Sequence, residues 1–512
     1  MSHDFMVMRL YHLSNETTQV ALMQKVIGKQ ARIVLFIILG FIALGALKLA
    51  FGTQAFVLTA SFLVIVLVSM GIAKKYYAQA VILTGGISLL IITALFFPDV
   101  DMTKASSGST FLDIFIEIKS VFSDSIARLG LIIMVIAGFS RYMNDIGASA
   151  KLVELCIKPL KRINAKYILL GVCYILMQVL ALFISSPSGL ALLMLTTLFP
   201  VLRSIGCSRA AVASVIASGI CIDYGPSATG SVLISEITGY DLFSFFVDKQ
   251  IPIVAILFIV IGISHMIMQA YWDKKEGVND EQPEENEKTA EIASHIPGYY
   301  ALLPVVPMII LFTFSSLIEE HLPSFLQLKI DVVSAIILSF FIAFLIDSIR
   351  SLDLKKSTEK VMGLFDQMGQ SFITVVSILL CAQVLVAGII KIGFIDILFS
   401  FIPNEDHYAT MMIILFSLLI FFGSVIMGTA TVFNAFAPLS AEVAQGAGIS
   451  VFKMLVPLHF SASLGRSFSP ISGVIIAVSG FIGVTPFEII KRNCVQLTIA
   501  YILMMTLSIS IL

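Results

Sequence analysis

The chain has 512 residues, of which 58% are hydrophobic and only 13% charged, and its formal net charge is −1. In a soluble protein of this size roughly a quarter of the residues would be charged, and the apolar runs here repeatedly reach membrane-spanning length. These features exclude a water-soluble enzyme or nucleic-acid-binding protein. They predict an all-α polytopic membrane protein whose surroundings are the lipid bilayer.

The first segment, residues 1–54, combines a polar tail with one apolar run that stands outside the pattern of the remaining chain. We expect this run to be an extra membrane helix at the periphery. Along the whole chain the predicted spans are 33–51, 56–73, 80–97, 130–142, 250–272, 299–317, 331–349, 361–390 and 494–512.

Two segments between these spans are of another type. In the first, apolar arms at 167–185 and 190–202 meet at a tip with the sequence SSPSG. In the second, arms at 410–427 and 433–443 meet at a tip with the sequence GTAT. Small hydroxyl residues with Gly and Pro interrupt a membrane helix, so each arm pair predicts a re-entrant hairpin.

Each predicted hairpin is followed by a predicted broken helix. The first covers 208–247 and is interrupted at GPSATG (225–230). The second covers 451–490 and is interrupted at GRSFSPISG (465–473). Both interruptions therefore occupy the same place in their part of the chain.

Residues 55–272 and 299–512 contain the same series of spans, hairpin and broken helix, which predicts two repeats. Each repeat crosses the membrane an odd number of times because a hairpin returns to its own side, so the second repeat is inverted. The acidic segment 273–298 between them is predicted to be a cytoplasmic linker. A cytoplasmic N-terminus puts 23 Lys and Arg inside and 8 outside; this favours a cytoplasmic N-terminus and an outside C-terminus.

Four interruptions at matched depths predict one shared binding site, because backbone in hydrocarbon is tolerated only where protein buries it or it lines a cavity. Hydroxyl groups and free helix ends there could bind an anion. The alternative is that the small residues only let helices pack closely. The candidate substrate-binding residues are Ser185, Ser186, Ser188, Gly189, Ser227, Thr229, Thr429, Thr431, Asn434, Arg466, Ser467, Ser469 and Ser472.

Arg466 is the most informative of these residues, since a guanidinium inside a bilayer is costly and suits bidentate pairing with a carboxylate. A structural ion pair, or a side chain that reaches the cytoplasmic interface, is the alternative. Asp223 could be its internal partner or could hold a proton or a cation. The candidate coupling-ion site comprises Asp223, Ser185, Gly225 and Gly428, with Na⁺ as one occupant; no other metal and no cofactor is predicted.

Several other polar residues are secondary candidates, for which packing or an interface role is the alternative. They are Glu236, Asp366, Gln367, Gln370 and His459. We find no P-loop, no HExxH motif and no convincing arrangement of nucleophile and base, so the sequence does not predict an enzyme.

The stretch LGRSFSPISGV (464–474), continued by PFEIIKR (486–492), resembles the C-terminal signature of the anaerobic C4-dicarboxylate uptake carriers of the C type, the DcuC family. TLFPV (197–201) and DKKE (273–276) are similar to it as well, and the resemblance extends over roughly 56–512. It implies a secondary carrier of succinate, fumarate and malate in a bacterial inner membrane, working by exchange or by ion-coupled symport or efflux.

The resemblance also implies kinship with a wider superfamily of ion transporters, whose members use an elevator motion and often form homodimers. Sodium-coupled dicarboxylate carriers in that superfamily have a Ser-Asn-Thr motif at each tip, whereas this chain has Ser-Pro-Ser and Thr-Ala-Thr. This departure counts against sodium coupling and leaves protons or exchange open as coupling modes. The alternative functions are transport of another organic anion or an amino acid on the same fold, and a passive anion channel.

Overall fold

The computed structural model describes residues 48–50, 52–72, 74, 76–103, 106–163, 165–277, 296–315, 330–395, 397, 406–427 and 430–512. The predicted extra span at 33–51 falls outside these residues except for its end, and so does most of the predicted linker. Gly428 and Thr429 at the second tip are outside them as well, and no side-chain description applies to Thr431.

All regular structure in the described residues is helical. The first part contains α1 (Gly52–Ile72), α2 (Ala78–Phe96), α3 (Thr110–Asp145), α4 (Ala148–Ile157), α5 (Lys166–Ala181), α6 (Pro187–Ser204), α7 (Arg209–Ser218), α8 (Thr229–Thr238) and α9 (Leu242–Lys275). The second part contains α10 (Gly298–Thr313), α11 (Val332–Ser351), α12 (Leu354–Lys391), α13 (Asp406–Met427), α14 (Thr431–Gly446), α15 (Val451–Ser467), α16 (Gly473–Ile482) and α17 (Pro486–Ile511).

Nine helices in the described ranges are long and apolar enough to cross a membrane, and this confirms the prediction of an all-α polytopic membrane protein. They are α1, α2, α3, α6, α9, α11, α12, α13 and α17. The predicted span at 299–317 corresponds to α10, which is shorter than these and begins as a 3₁₀ helix. Its prolines, Pro304 and Pro307, lack the N–H groups that a regular α-helix needs there.

The two longest helices, α3 and α12, pack against each other in antiparallel orientation. The N-terminal half of each contacts the C-terminal half of the other, and their π-helical turns, at Ile126–Gly130 and Phe372–Val376, meet in the middle. Glycine allows the close approach, because a Cβ added to Gly138 would lie 3.0 Å from the Leu364 carbonyl oxygen. We call this pair the wall.

Helices α5–α9 and α13–α17 form a second group, which we call the core. The helices that follow the two tips pack across the halves of the chain: α6 contacts α16, and α14 contacts α8. Helices α9 and α17 also pack on each other. The tips and interruptions of both halves are thereby brought to one region of the protein.

The two halves use the same local arrangement near the ends of the segments 208–247 and 451–490, which were predicted to be broken helices. Gly239 ends α8 and Gly483 ends α16, both with positive φ (66° and 80°) that favours glycine. The next helix then starts with a side-chain cap: Asp241 accepts the Ser244 N–H, and Thr485 accepts the Glu488 N–H. These matched caps are a local similarity between the two predicted repeats, and the division into repeats stays a prediction.

A buried ion cluster connects the ends of α9 and α17. Arg492 is fully buried, and its guanidinium donates to Asp273 at 2.8 Å and to Glu276. Asp273 also accepts hydrogen bonds from the hydroxyls of Ser208 (2.7 Å) and Tyr167 (3.3 Å). The cluster therefore ties α5, α7, α9 and α17 together at one end of the core.

Candidate substrate-binding cavity

A cavity of about 390 Å³ lies between the core and the wall. Both predicted tips and both predicted broken helices reach it, and α3 and α12 close it on the other side. Its polar lining residues are Ser140, Arg141, Asn144, Ser185, Ser186, Asp223, Ser227, Thr229, Gln367, Ser371, Thr374, Asn434, His459 and Arg466. Gly189 and Gly230 line it as well.

The first tip is held by an N-terminal helix cap. The Ser186 hydroxyl oxygen accepts the Gly189 N–H at 3.2 Å, and Pro187 occupies the first turn of α6, where a missing N–H costs nothing. Ser185, Ser186 and Gly189 line the cavity. Ser188 is not among the lining residues; its Oγ lies 3.6 Å from the position of a Cβ on Gly473, next to the second broken helix.

The first interruption is fixed by a side chain from another helix. Gly225 has a φ of +84°, and its N–H donates to Gln250 Oε1 at 2.9 Å. Gln250 Nε2 in turn donates to Ser231 Oγ at 2.9 Å, and the Ser227 hydroxyl donates to the Leu182 carbonyl at 3.0 Å. Asp223, Ser227 and Thr229 line the cavity, whereas Gly225 does not. Gln250 lies in a π-helical turn of α9, and no sequence motif pointed to it.

Arg466 connects the second interruption to the residues that directly precede the first. It lies in the last turn of α15, and its Nη2 donates to the Ile220 carbonyl at 2.7 Å. Its Nη1 is 3.8 Å from the nearer Asp223 oxygen, which is an ion pair but lies beyond hydrogen-bond distance. Since Arg466 lines the cavity and is largely buried, its charge is directed to this space.

His459 is a buried imidazole at the cavity. It is 2% exposed, its ring centre lies 5.0 Å from that of Phe433, and its Nδ1 has no hydrogen-bond partner among the described residues. Gly230 makes room for the imidazole, since an added Cβ would lie 2.2 Å from Nε2. The contact joins α8 to α15, and so also joins the two halves.

Of the remaining predicted residues in the second half, one lines the cavity and three do not. Asn434 lines the cavity. Ser467, Ser469 and Ser472 are buried but are not among its lining residues; the Ser467 hydroxyl donates to the Ser463 carbonyl at 3.1 Å. A binding role for these three, and for the tip residues outside the description, stays a prediction.

Among the secondary candidates, Gln367 and His459 line the cavity. Asp366 and Gln370 are exposed elsewhere on α12. Glu236 pairs with Arg128 at 3.4 Å, which links the core to the wall outside the cavity. Five other polar lining residues were not predicted from the sequence, because no Gly, Pro or Ser motif marks their positions in the apolar runs: Ser140, Arg141, Asn144, Ser371 and Thr374. Their spacing of three and four residues along α3 and α12 was the available signal.

The lining combines two guanidinium groups, one carboxylate, one imidazole and several neutral hydroxyl and amide groups. The guanidinium of Arg141 is paired with Asp145. That set suits an organic anion with more than one polar group, since Arg466 offers charge and the neutral groups offer hydrogen bonds. Asp223 could hold a small cation together with carbonyl groups of the interruption. Within the described ranges no group of three or more His, Cys, Asp or Glu side chains converges to hold a metal ion.

Comparison with known proteins gives a consistent result. The DcuC family model, described as a C4-dicarboxylate anaerobic carrier, matches residues 56–512. The anaerobic C4-dicarboxylate transporter DcuC of Escherichia coli K12 is 31% identical over 442 residues, which cover 86% of this chain and 93% of that protein. A Vibrio cholerae relative is 31% identical over 434 residues, covering 84% of this chain and 92% of its own.

Among solved structures, the YdaH transporter of Alcanivorax borkumensis is similar in fold, with a TM-score of 0.55. The match covers 84% of this chain and 97% of that one, and the sequences are 12% identical. The likeness therefore concerns the arrangement of helices alone.

Proposed function

The chain belongs to the DcuC family of C4-dicarboxylate anaerobic carriers, and from this premise we propose that it is a secondary transporter of succinate, fumarate and malate in a bacterial inner membrane. The observation that carries the proposal is the position of Arg466. Its guanidinium lies in a cavity that residues of both halves line, and its Nη1 is not hydrogen-bonded to Asp223. A substrate carboxylate can therefore pair with it.

Asp223 provides the coupling in this proposal. Its carboxylate lies 3.8 Å from Arg466, at the place that a substrate carboxylate would approach. Two negatively charged carboxylates close together repel each other, so substrate binding is easiest when a bound proton or cation offsets the charge of Asp223. Entry of a dicarboxylate and of one positive charge would then be linked. Exchange of one dicarboxylate for another would not need that charge to be released.

The transport cycle is proposed to be an elevator motion of the core along the wall. In this proposal the two repeats are inverted, the arm pairs are re-entrant hairpins, the N-terminus is cytoplasmic and the C-terminus is outside. The cross-packing of α6 with α16 and of α14 with α8 supports a core that moves as one body. The homodimer that the family resemblance implies stays a prediction, which the mass of the protein in detergent would test.

Uptake of labelled succinate into proteoliposomes, preloaded with fumarate or empty, tests this function. We expect internal fumarate to stimulate uptake in the wild type, because a loaded carrier returns faster. Arg466→Lys keeps the charge but loses the planar fork, so we expect at least a tenfold loss of uptake, and Arg466→Ala should be inactive. Exposed Arg162, away from the cavity, is the matched control, and Arg162→Ala should behave like the wild type.

The same assay separates the alternatives. Succinate uptake that internal fumarate does not stimulate would indicate a passive channel. Folded protein without succinate uptake under any sodium or proton gradient would contradict the substrate class, and other organic anions or amino acids would be tested next. Asp223→Asn tests the coupling: we expect exchange to persist while net uptake loses its dependence on the cation gradient. An unchanged gradient dependence in this variant would contradict the role of Asp223.

A further inference from the structure

The wall side of the cavity carries two buried polar atoms without a hydrogen-bond partner among the described residues. They are Ser140 Oγ and Asn144 Oδ1, both on α3. Both residues line the cavity, and Ser140 is only 5% exposed. A spacing of four residues puts them on one face of the helix. Buried polar groups are normally paired, so this unpaired couple points to a ligand group.

The position of Asn144 brings it close to the first tip. Its Nδ2 lies 3.7 Å from the place that a Cβ on Gly189 would occupy. The helix that carries it is firmly placed, because Gly138 and Gly363 let α3 and α12 approach closely and a Cβ on Gly363 would meet the Asp145 carboxylate. Asn144 therefore presents its amide to the cavity from a fixed wall, next to the tip of the core.

The chemistry of this face differs from that around Arg466. The wall's arginine in the cavity, Arg141, is paired with Asp145 at 3.0 Å, so Ser140 and Asn144 act beside an already compensated charge. Asn144 Oδ1 is an acceptor only, and a carboxylate, which also only accepts, cannot satisfy it. A hydroxyl or an ammonium group on the substrate can do so. A site that hydrogen-bonds such a group discriminates strongly against the analogue that lacks it.

We propose that Asn144 and Ser140 form a subsite for a hydrogen-bond donor carried on C2 of the dicarboxylate, a hydroxyl as in malate or an ammonium as in aspartate. This inference rests on the proposed function and deepens it. Arg466 holds a carboxylate that all C4-dicarboxylates share, whereas the subsite on the wall separates those with a donor on C2 from succinate and fumarate.

Competition experiments test the subsite. Unlabelled succinate, malate and aspartate compete with labelled succinate for uptake into proteoliposomes containing the wild type, Asn144→Leu or Ser140→Ala. We expect the ratio of the malate Ki to the succinate KM to rise about tenfold in Asn144→Leu, and the ratio of the aspartate Ki to the succinate KM to rise likewise if the donor is an ammonium. Exposed Gln370 on α12 supplies the control, because Gln370→Leu also replaces a carboxamide by an aliphatic side chain but does so outside the cavity.

Asn144→Asp adds a second readout. It keeps the shape and the acceptor but adds a negative charge, so aspartate, whose ammonium gains a partner, should lose less affinity than succinate does. If Asn144→Leu weakens succinate and malate by the same factor, so that the ratio of their affinities is unchanged, the subsite is overturned. Wild type without succinate uptake would instead contradict the proposed function and the subsite together.

Discussion

At the scale of single residues, the cavity is organised around side chains that meet across the two halves of the chain. Arg466 of α15 donates to the Ile220 carbonyl just before the first interruption, and His459 of the same helix packs on Gly230 of α8. Each contact needs a small or unwound partner from the other half. The glycine is thus as much a part of the site as the imidazole that it accommodates.

Gly230→Ala tests this contact. The added Cβ would lie 2.2 Å from His459 Nε2 in a buried region, so we expect overpacking that costs about 1–3 kcal/mol and a lowered Tm. Thermal unfolding in detergent measures the effect. Gly480→Ala is the matched control, because nothing lies within 4 Å of its added Cβ. A Tm for Gly230→Ala equal to that of the control would show that the imidazole moves aside freely.

At the scale of helices, the interruptions are supported by residues of neighbouring helices that no sequence motif marks. The positions of the tips and breaks could be predicted, because Gly, Pro and Ser inside apolar runs are visible in the sequence. Gln250, which supports Gly225, could not be predicted, since its role depends on the phase that a π-helical turn gives to α9. Asn144 and Ser140 were missed for a similar reason, as ordinary helical residues that only the contact between α3 and α12 places at the cavity.

The ends of the long helices could not be predicted from the hydropathy pattern either. Hydropathy predicted spans at 130–142 and 361–390, whereas α3 and α12 extend over Thr110–Asp145 and Leu354–Lys391. The additional turns are richer in polar residues, and helical hydrogen bonds continue through them after the apolar character has faded. Hydropathy reports the part of a helix that suits hydrocarbon, not the length of the helix.

The ion cluster between α9 and α17 gives the core a dependence on pH. Burial alone would raise the pKa of Glu276, just beyond the end of α9, but hydrogen bonds from Lys491 and Arg492 outweigh it and hold this pKa below 4.5, its ordinary value. A lowered carboxylate pKa stabilises the folded state above the ordinary pKa, and this contribution disappears as the pH falls through the folded value.

We therefore expect Glu276→Gln to lower the Tm at pH 7, and the gap between wild type and variant to shrink below about pH 4.5. Unfolding in detergent across this range measures the gap. Glu359→Gln, at an exposed position on α12, controls for removal of a surface charge. A gap that is constant with pH, or that grows in acid, would contradict the assigned hydrogen bonds.

At the scale of the whole molecule, the cavity extends to one end of the wall. Arg141 and Asn144 near the end of α3, and Gln367 on the first half of α12, all line it. The distribution of Lys and Arg predicts this end to be cytoplasmic. Arg128, which pairs with Glu236, lies about 20 Å farther along α3 from Arg141. The proposed conformation is therefore open to the cytoplasm, with core and wall in contact on the opposite side.

A cross-link between α3 and α8 tests the motion of core against wall. In a background where exposed Cys494 and half-buried Cys156 are replaced by serine, a short bis-maleimide joins Arg128→Cys to Glu236→Cys. We expect exchange to fall to the background level, because the core can no longer slide. The control pair, Lys491→Cys with Glu276→Cys, lies within the core, and its cross-link should leave exchange largely intact. Undiminished exchange with the α3–α8 cross-link in place would rule out an elevator motion.

The buried pair of Arg492 and Asp273 also constrains the order in which the protein can be assembled. The two residues are 219 positions apart, so at roughly 5–20 residues per second the ribosome needs roughly 10–45 s to supply the arginine after the aspartate. During that interval the first half holds a carboxylate that lacks its buried counter-charge. Assembly of the first half can be completed only when the last helix inserts, so a chain that ends before α17 should be a preferred substrate of membrane proteases.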